Sequence, residues 1–535
     1  MIEAQQPQAE QPSQYLPAGP PDPLIFEDFE GINTATLRPG VDDKETAWLD
    51  GFMPLAKRNL RTMYGKGPSI FTAPTSSIVC FDIINLGSSP VAIVALANGS
   101  LYQVSLATSV ATLMAGPGTI QNPSRSTIGV TQWGNQYALI VALQTNGYFI
   151  WDGTTFFPPG ATGPTGGTVP LGLGGSAIET FTGRVWLAGA ATVAFSAPGS
   201  FIDFSSANGG GNFTSVDSFL RRQFTSLKQT NGFLYLIGDS SINYISGVQT
   251  SGVPPVTTFT NQNADPEVGS PWAGTVMVFN RNIMLANAFG VHVSYGGAVT
   301  KVSEKLDGVY NTSPNFNNQL PSSAKAIIFG KKCFVLLLSI VDPITGQTTN
   351  KLFLWNGKFW WASSQDVSLV YINFQELDSV LTTWGTDSIS LFALFQQPSI
   401  AFEKIAQTKL WDKPGGYQFT KFVTRFWAIF RLYDPRSPTV TVSIDNETAS
   451  DSNTINMVPP GGGTTWVTST GADSTWLTAG NVLSVWLAAG VNYSVVSAQA
   501  VAQSGVLTGF TMTTNSADMA LVSAMIHDEV AGYRG

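Results

Sequence analysis

Histidine and cysteine are almost missing from this chain of 535 residues, which holds two of each. Histidine-built metal sites need two or three imidazoles, so His292 and His527 are not expected to make one. Cys80 and Cys333 cannot form a disulfide framework, and no paired-cysteine zinc spacing exists. Each lies in an apolar stretch and reads as a buried free thiol. Charge is scarce too: Asp, Glu, Lys and Arg make up 12% of the chain, against about a quarter in ordinary soluble domains. With a net charge of −8, the chain lacks the basic surface that grips nucleic acid by displacing counterions. A channel through which DNA slides has no such need. No run reaches the roughly 18 apolar residues of a membrane span. The first 23 residues, MIEAQQPQAEQPSQYLPAGPPDP, have neither the basic start nor the apolar core of a signal peptide. They read as an extended Gln/Pro-rich arm.

What is abundant points to strands. Fifty-three glycines and 31 prolines lie in a background of Ser, Thr, Val and Phe. Glycine supplies positive φ and proline fixes corners, so the mixture suits many short strands joined by tight turns. One element recurs, a turn followed by a short strand that often closes on an aromatic residue and Asp-Gly or Asn-Gly. It stands at 99–104 (GSLYQV), 147–153 (GYFIWDG), 192–196 (TVAFS), 241–245 (SINYI), 290–294 (GVHVS), 351–357 (KLFLWNG) and 388–392 (SISLF). The spacing averages about 48 residues, near the roughly 40 to 50 of a propeller blade. A continuous apolar run precedes most copies, as at 91–96 (VAIVAL), 137–142 (YALIVA) and 334–338 (FVLLL). Such runs suit a strand buried on both faces. Around 125–160 four strands are expected, at 127–133, 136–143, 148–151 and 154–157.

The fold expected is therefore all-β: a six- or seven-bladed β-propeller over 71–400, with the arm at 1–23 before it. Residues 24–70 would close or brace the propeller. Residues 401–535 change character, beginning with the alternating stretch 422–432 (FVTRFWAIFRL), and read as a C-terminal β-sandwich-like domain. A sandwich array is the competing architecture, but its motifs would recur at about 100 residues.

Chemistry is hard to find in the residues. Carboxylates cluster at Glu27, Asp28 and Glu30, at Asp42 and Asp43, and at Asp528 and Glu529. A glycosidase needs two carboxylates about 5 to 10 Å apart. The Ser-x-Asp-x-Gly-x-x-Trp turn of sialidase blades does not occur, and Asp152-Gly153 and Asn356-Gly357 read as hairpin turns. No Gly-x-Ser-x-Gly elbow accompanies either histidine. The glycine clusters at 172–175, 209–211 and 461–463 follow no phosphate-binding fingerprint. Lys57-Arg58, Arg221-Arg222 and Lys331-Lys332 are short, scattered basic pairs that suit solvated faces or subunit contacts. No catalytic, cofactor-binding or metal-binding residue is assigned, no cofactor is expected, and the chain reads as a non-enzyme.

Five stretches carry a resemblance: 48–55 (WLDGFMPL) through 63–65 (MYG), 193–204 (VAFSAPGSFIDF), 232–242 (GFLYLIGDSSI), 283–286 (IMLA) with 290–293 (GVHV) and 302–307 (VSEKLD), and 505–513 (GVLTGFTMT). Together they resemble the β-propeller proteins of the tail nozzle or hub of short-tailed bacteriophages, of the DNA-stabilisation type. The resemblance implies a virion structural protein in the tail, assembled in the bacterial host cytoplasm as a homo-oligomeric, hexameric ring. It implies contacts with the portal adaptor and with tail fibres, spikes or needle. It also implies that double-stranded DNA passes through the ring during ejection. The alternative is a glycan-binding or glycan-cleaving propeller acting at the host surface; a peptide-binding scaffold propeller is a further rival.

Overall fold

The computed structural model describes residues 23–533, apart from 215–222, 297–298, 312–320, 378–379, 414–415, 434–438, 448–449, 457–465, 468–472, 475–492 and 500–503. Strands dominate, most of them in small antiparallel sheets. The physical reason is clear in the sheet formed by Ile128–Trp133, Tyr137–Ala142, Tyr148–Trp151 and Phe156–Phe157. Along its second strand, Ala138, Ile140 and Ala142 join an apolar cluster with the sheet before. Leu139 and Val141 join another with the sheet after. Neighbouring side chains leave a strand on opposite faces, and here both faces are dry, so every position is apolar. Each Leu, Ile or Val buried this way contributes about 1.5–3 kcal/mol.

Seven four-stranded units follow this plan among the described residues. Their first strands are Ile78–Leu86, Ile128–Trp133, Ala177–Phe181, Phe224–Thr230, Met277–Phe279, Ser322–Ile328 and Tyr371–Leu377. Each first strand lies beside the first strand of the next unit, and the seventh beside the first. The units thus radiate from a common axis, the arrangement of a β-propeller. The recurring sequence elements fall on the third strands, among them Leu101–Ser105, Thr192–Phe195, Gly290–Ser294 and Thr348–Trp355. The seventh unit takes its outer strand from far upstream: Ser69–Thr72 pairs antiparallel with Ser390–Ala393, Phe71 opposite Leu391. Hydrogen bonds between an upstream and a downstream strand tie the two ends of the ring together.

The sixth unit does not stop at its fourth strand, Trp360–Ser363. Its sheet continues through Thr46–Asp50, Lys404–Thr408, Gly509–Thr514, Thr439–Asp445 and Ser450–Asn456. A seven-stranded sheet faces this extension, built on the long pair Phe419–Leu432 and Met519–Tyr533. Phe510 links the two layers, 5.3 Å from Phe426 and 5.8 Å from Phe26 between ring centroids. Along Phe419–Leu432, Val423, Phe426, Ala428 and Phe430 face this core while Arg425 is exposed, the period-two pattern of a half-buried strand. The segments expected to be separate, 24–70 and 401–535, are interleaved here. Leu24–Phe26 and Asn59–Thr62 both pair with Met519–Tyr533, and Thr46–Asp50 pairs with Lys404–Thr408. Composition cannot reveal this, because strand partners are chosen by three-dimensional packing rather than by proximity in the chain.

Candidate functional site

Charged residues are few on the inner strands, and several of them meet at the propeller axis. Asp82 interrupts the apolar first strand of unit one, and both its oxygens accept from Arg125 Nη1 at 2.9 Å. Arg125 belongs to the loop entering unit two, yet its stem crosses the ring. A Cβ built on Gly274, at the entrance to unit five, would lie 3.4 Å from Arg125 Cγ. Tyr371 of unit seven places its ring 5.1 Å from the guanidinium carbon, and Asn373 donates to Asp82 at 3.1 Å. Side chains from units one and seven and from the loop entering unit two therefore converge at the axis at this level. Arginine suits the position because its planar fork spreads charge over several directed donors. Burial works against its charge, but Asp82 more than compensates and keeps it protonated.

Further along the axis, Glu376 receives Lys325 at 2.6 Å and Lys332 at 2.9 Å. Glu179 accepts from Thr131 at 3.5 Å, and burial raises its carboxyl against the pull of Lys228. Glu376 thus holds both lysines. The only thiol nearby, Cys80, is pushed up to about 12 by burial, so at neutral pH it is not the thiolate a nucleophile requires. Burial pushes Cys333 up to about 12 as well.

The other candidates lie apart. His292 is buried on the third strand of unit five, and burial holds its imidazole below the usual range. His527 approaches the Thr424 hydroxyl at 3.0 Å through Nδ1 and meets Trp427 edge-on. Its neighbour Asp528 points to the opposite, buried face, where it accepts from Thr508 at 2.6 Å, because adjacent strand residues alternate. No nucleophile, histidine and carboxylate line up in sequence here. Glu27 binds Lys57 at 2.9 Å and Arg58 at 2.7 Å, so one carboxylate cluster and one basic pair satisfy each other. Asp43 does the same with Lys409. Arg221-Arg222 and 461–463 lie outside the described residues. Among the described residues, no group of three or more His, Cys, Asp or Glu side chains is arranged to hold a metal ion.

A groove of about 800 Å³ runs between units one and two, with Gln103, Ser105, Asn135, Gln136, Asp152 and Thr154 on its walls. Asp152 is its one carboxylate. Its Oδ1 accepts the backbone N–H groups of Thr154 at 2.8 Å and Thr155 at 2.6 Å, and Gly153 follows at φ +96°. Asp152-Gly153 is thus a side-chain-capped turn. The two-carboxylate geometry of glycoside hydrolysis is not assembled in this groove.

Sequence reasoning passed over Arg125, Asp82 and the axial pairs. The available signal was a lone charge inside an otherwise apolar strand, as Asp82 is in IVCFDIINL. Asp528, next to Glu529 on its strand, is buried too, and it makes a pH prediction. Burial raises its carboxyl to about 6, despite Thr508 and the nearby Lys421. A folded-state value above the unfolded one adds stability below about pH 4, and that stability is lost as pH rises through about 6. Above that pH a charged carboxylate is held in the core. Asp528→Asn is expected to gain on the order of 2–3 kcal/mol at pH 7.5 and nothing at pH 4. Denaturation of both proteins across this range checks it. A variant less stable than wild type at pH 7.5 overturns it.

No protein-family model and no curated protein matches this chain. Among solved structures, the β-propeller domain of Cps50 (Swd1) from Myceliophteria thermophila is similar over 62% of this chain and 99% of its own, at 10% identity and a TM-score of 0.38. Trypanosoma rangeli sialidase is similar over 90% of this chain and 94% of its own, at 8% identity and a TM-score of 0.31. The SapL1 lectin, solved with alpha methyl fucoside, is similar over 64% of this chain and 96% of its own, at 13% identity and a TM-score of 0.27. With TM-scores below 0.5, none of these likenesses bears on the activity of this chain.

Proposed function

We propose that this chain is a structural subunit of the tail nozzle or hub of a short-tailed bacteriophage, with a seven-bladed propeller and a β-sandwich domain acting as one rigid wedge. Copies would form a hexameric ring below the portal adaptor, hold other tail proteins on its outside, and surround the DNA exit path. The observation that carries this reading is the closed construction of the subunit. Ser69–Thr72 seals the ring, and strands from both flanking segments, Thr46–Asp50 and Gly509–Thr514, extend the sheet of the sixth unit. A body built this way transmits load without opening. The side chains that meet around Arg125 stand at the propeller's axis, and in this reading the DNA path lies between copies. A net charge of −8 favours a wall that DNA slides past rather than grips.

The test is gold-labelled antibody staining of phage particles in negative-stain electron microscopy. Label at a single tailed vertex is the expected result, and particles without label, intact or disrupted, sink the proposal. The groove between units one and two favours a second reading, glycan binding at the host surface, because amide and hydroxyl side chains line it. A glycan array and a hydrolysis assay separate the two: the nozzle reading expects neither binding nor cleavage.

A further inference from the structure

The best-buried charge cluster lies away from the axis, where the sixth unit meets the strand Thr46–Asp50. Lys351 is 4% exposed, Asp50 2% and Asp342 5%. Lys351 Nζ lies 2.5 Å from Asp50 Oδ2 and 2.7 Å from Asp342 Oδ2, and the Ser364 hydroxyl bonds both Lys351 and Asp50. The face of Trp48 closes one side, its ring centre 5.6 Å from the amine. Lys404, the other cation near Asp50, has its amine spent on the carbonyls of Ser399 and Phe402. One atom is left over: Asp50 Oδ1 is buried, and no described residue hydrogen-bonds it. Buried oxygens without a donor are rare and call for an explanation.

We propose that Lys351 and Asp50 condense into an intramolecular isopeptide bond, with Asp342 as the proton carrier. Asp342 Oδ2 takes a proton from Nζ and frees its lone pair. That proton passes to the Asp50 carboxyl, directly or through the Ser364 hydroxyl. The amine attacks Asp50 Cγ, the new C–N bond forms, and the bond from Cγ to one oxygen breaks. That oxygen leaves as water with two of the three ammonium protons. The balance is –NH3⁺ plus –COO⁻ giving –CO–NH– plus water, with no oxidant or reductant. The product removes the unsatisfied oxygen and one buried charge pair, and leaves the amide N–H to donate to Asp342. Asp342 is held for this role, since its Oδ1 accepts backbone N–H groups of Ile344 at 2.8 Å and Thr345 at 3.1 Å. Strand pairing fixes the reacting atoms, and such fixed pairs react far faster than free ones. The bond would tie the N-terminal strand to the propeller across 301 residues of chain.

Mass spectrometry of the purified full chain, denatured, tests this. The expected mass is about 18 Da, one water, below that of the sequence. Trypsin should release a branched peptide joining 45–57 to 333–358, uncut at Lys351. Lys351→Arg keeps the positive charge but offers no amine, and Asp342→Asn keeps the shape but cannot carry the proton; both are expected at full mass. Asp50 precedes Gly51, so ring closure onto the Gly51 nitrogen would also lose one water. The branched peptide distinguishes the two: loss of water without it overturns the proposal. Wild-type protein at full mass overturns it as well, whatever the variants do.

Discussion

Replacing Arg125 with methionine is expected to lower stability by about 3 kcal/mol, because it strands a carboxylate that is largely out of water. Asp82 would keep Asn373 and lose both charge-assisted bonds from Arg125. Its side chain is only 15% exposed, so water can replace them only in part. The partner substitution decides whether the cost comes from that charge. Arg125→Met with Asp82→Asn should recover most of the loss, since an unpaired neutral amide costs less than an unpaired charge. Arg125→Lys should fall between, because an ammonium cannot reproduce the planar fork. Denaturant unfolding of Arg125→Met, Asp82→Asn and the double variant, read as a double-mutant cycle, gives the coupling. A single variant within 1 kcal/mol of wild type would show that the axis is not held by this pair.

Ending the chain at Asp518 is expected to unfold both termini together. The lost strand, Met519–Tyr533, pairs with Phe419–Leu432 over most of its length and also with Leu24–Phe26 and Asn59–Thr62. It carries the buried side chains Met519, Leu521 and Ile526, at about 1.5–3 kcal/mol each. Their sum approaches the whole margin of roughly 5–15 kcal/mol that holds a domain folded. Brief trypsin treatment should then cut before residue 66 and after residue 400 at matching rates, while the middle units persist. Protection of 24–62 in the shortened chain would show that the N-terminal strands fold without their C-terminal partners.

The strands of the propeller were legible because each has a local cause. At 125–160 the expected strands and the observed ones, Ile128–Trp133, Tyr137–Ala142, Tyr148–Trp151 and Phe156–Phe157, differ by one or two residues at their ends. YALIVA has to be buried on both sides, and the Asp152-Gly153 turn is closed by its own side chain. These are properties of a few adjacent residues, so sequence order contains them.

Partnerships across the chain left no such mark. Nothing in SIFT at 69–72 says that it completes the unit at 371–393, and nothing in LIF at 24–26 names Ile526 as a neighbour. The same holds for the chemistry. Asp50, Asp342 and Lys351 are separated by hundreds of residues or by a hairpin, and each alone reads as an ordinary turn or strand residue. Periodicity, turn chemistry and the scarcity of charge were enough for an all-β repeat protein with dry strands. Which edges meet, and which buried charges face one another, was decided only by packing, because that choice depends on surfaces that exist once the chain is folded.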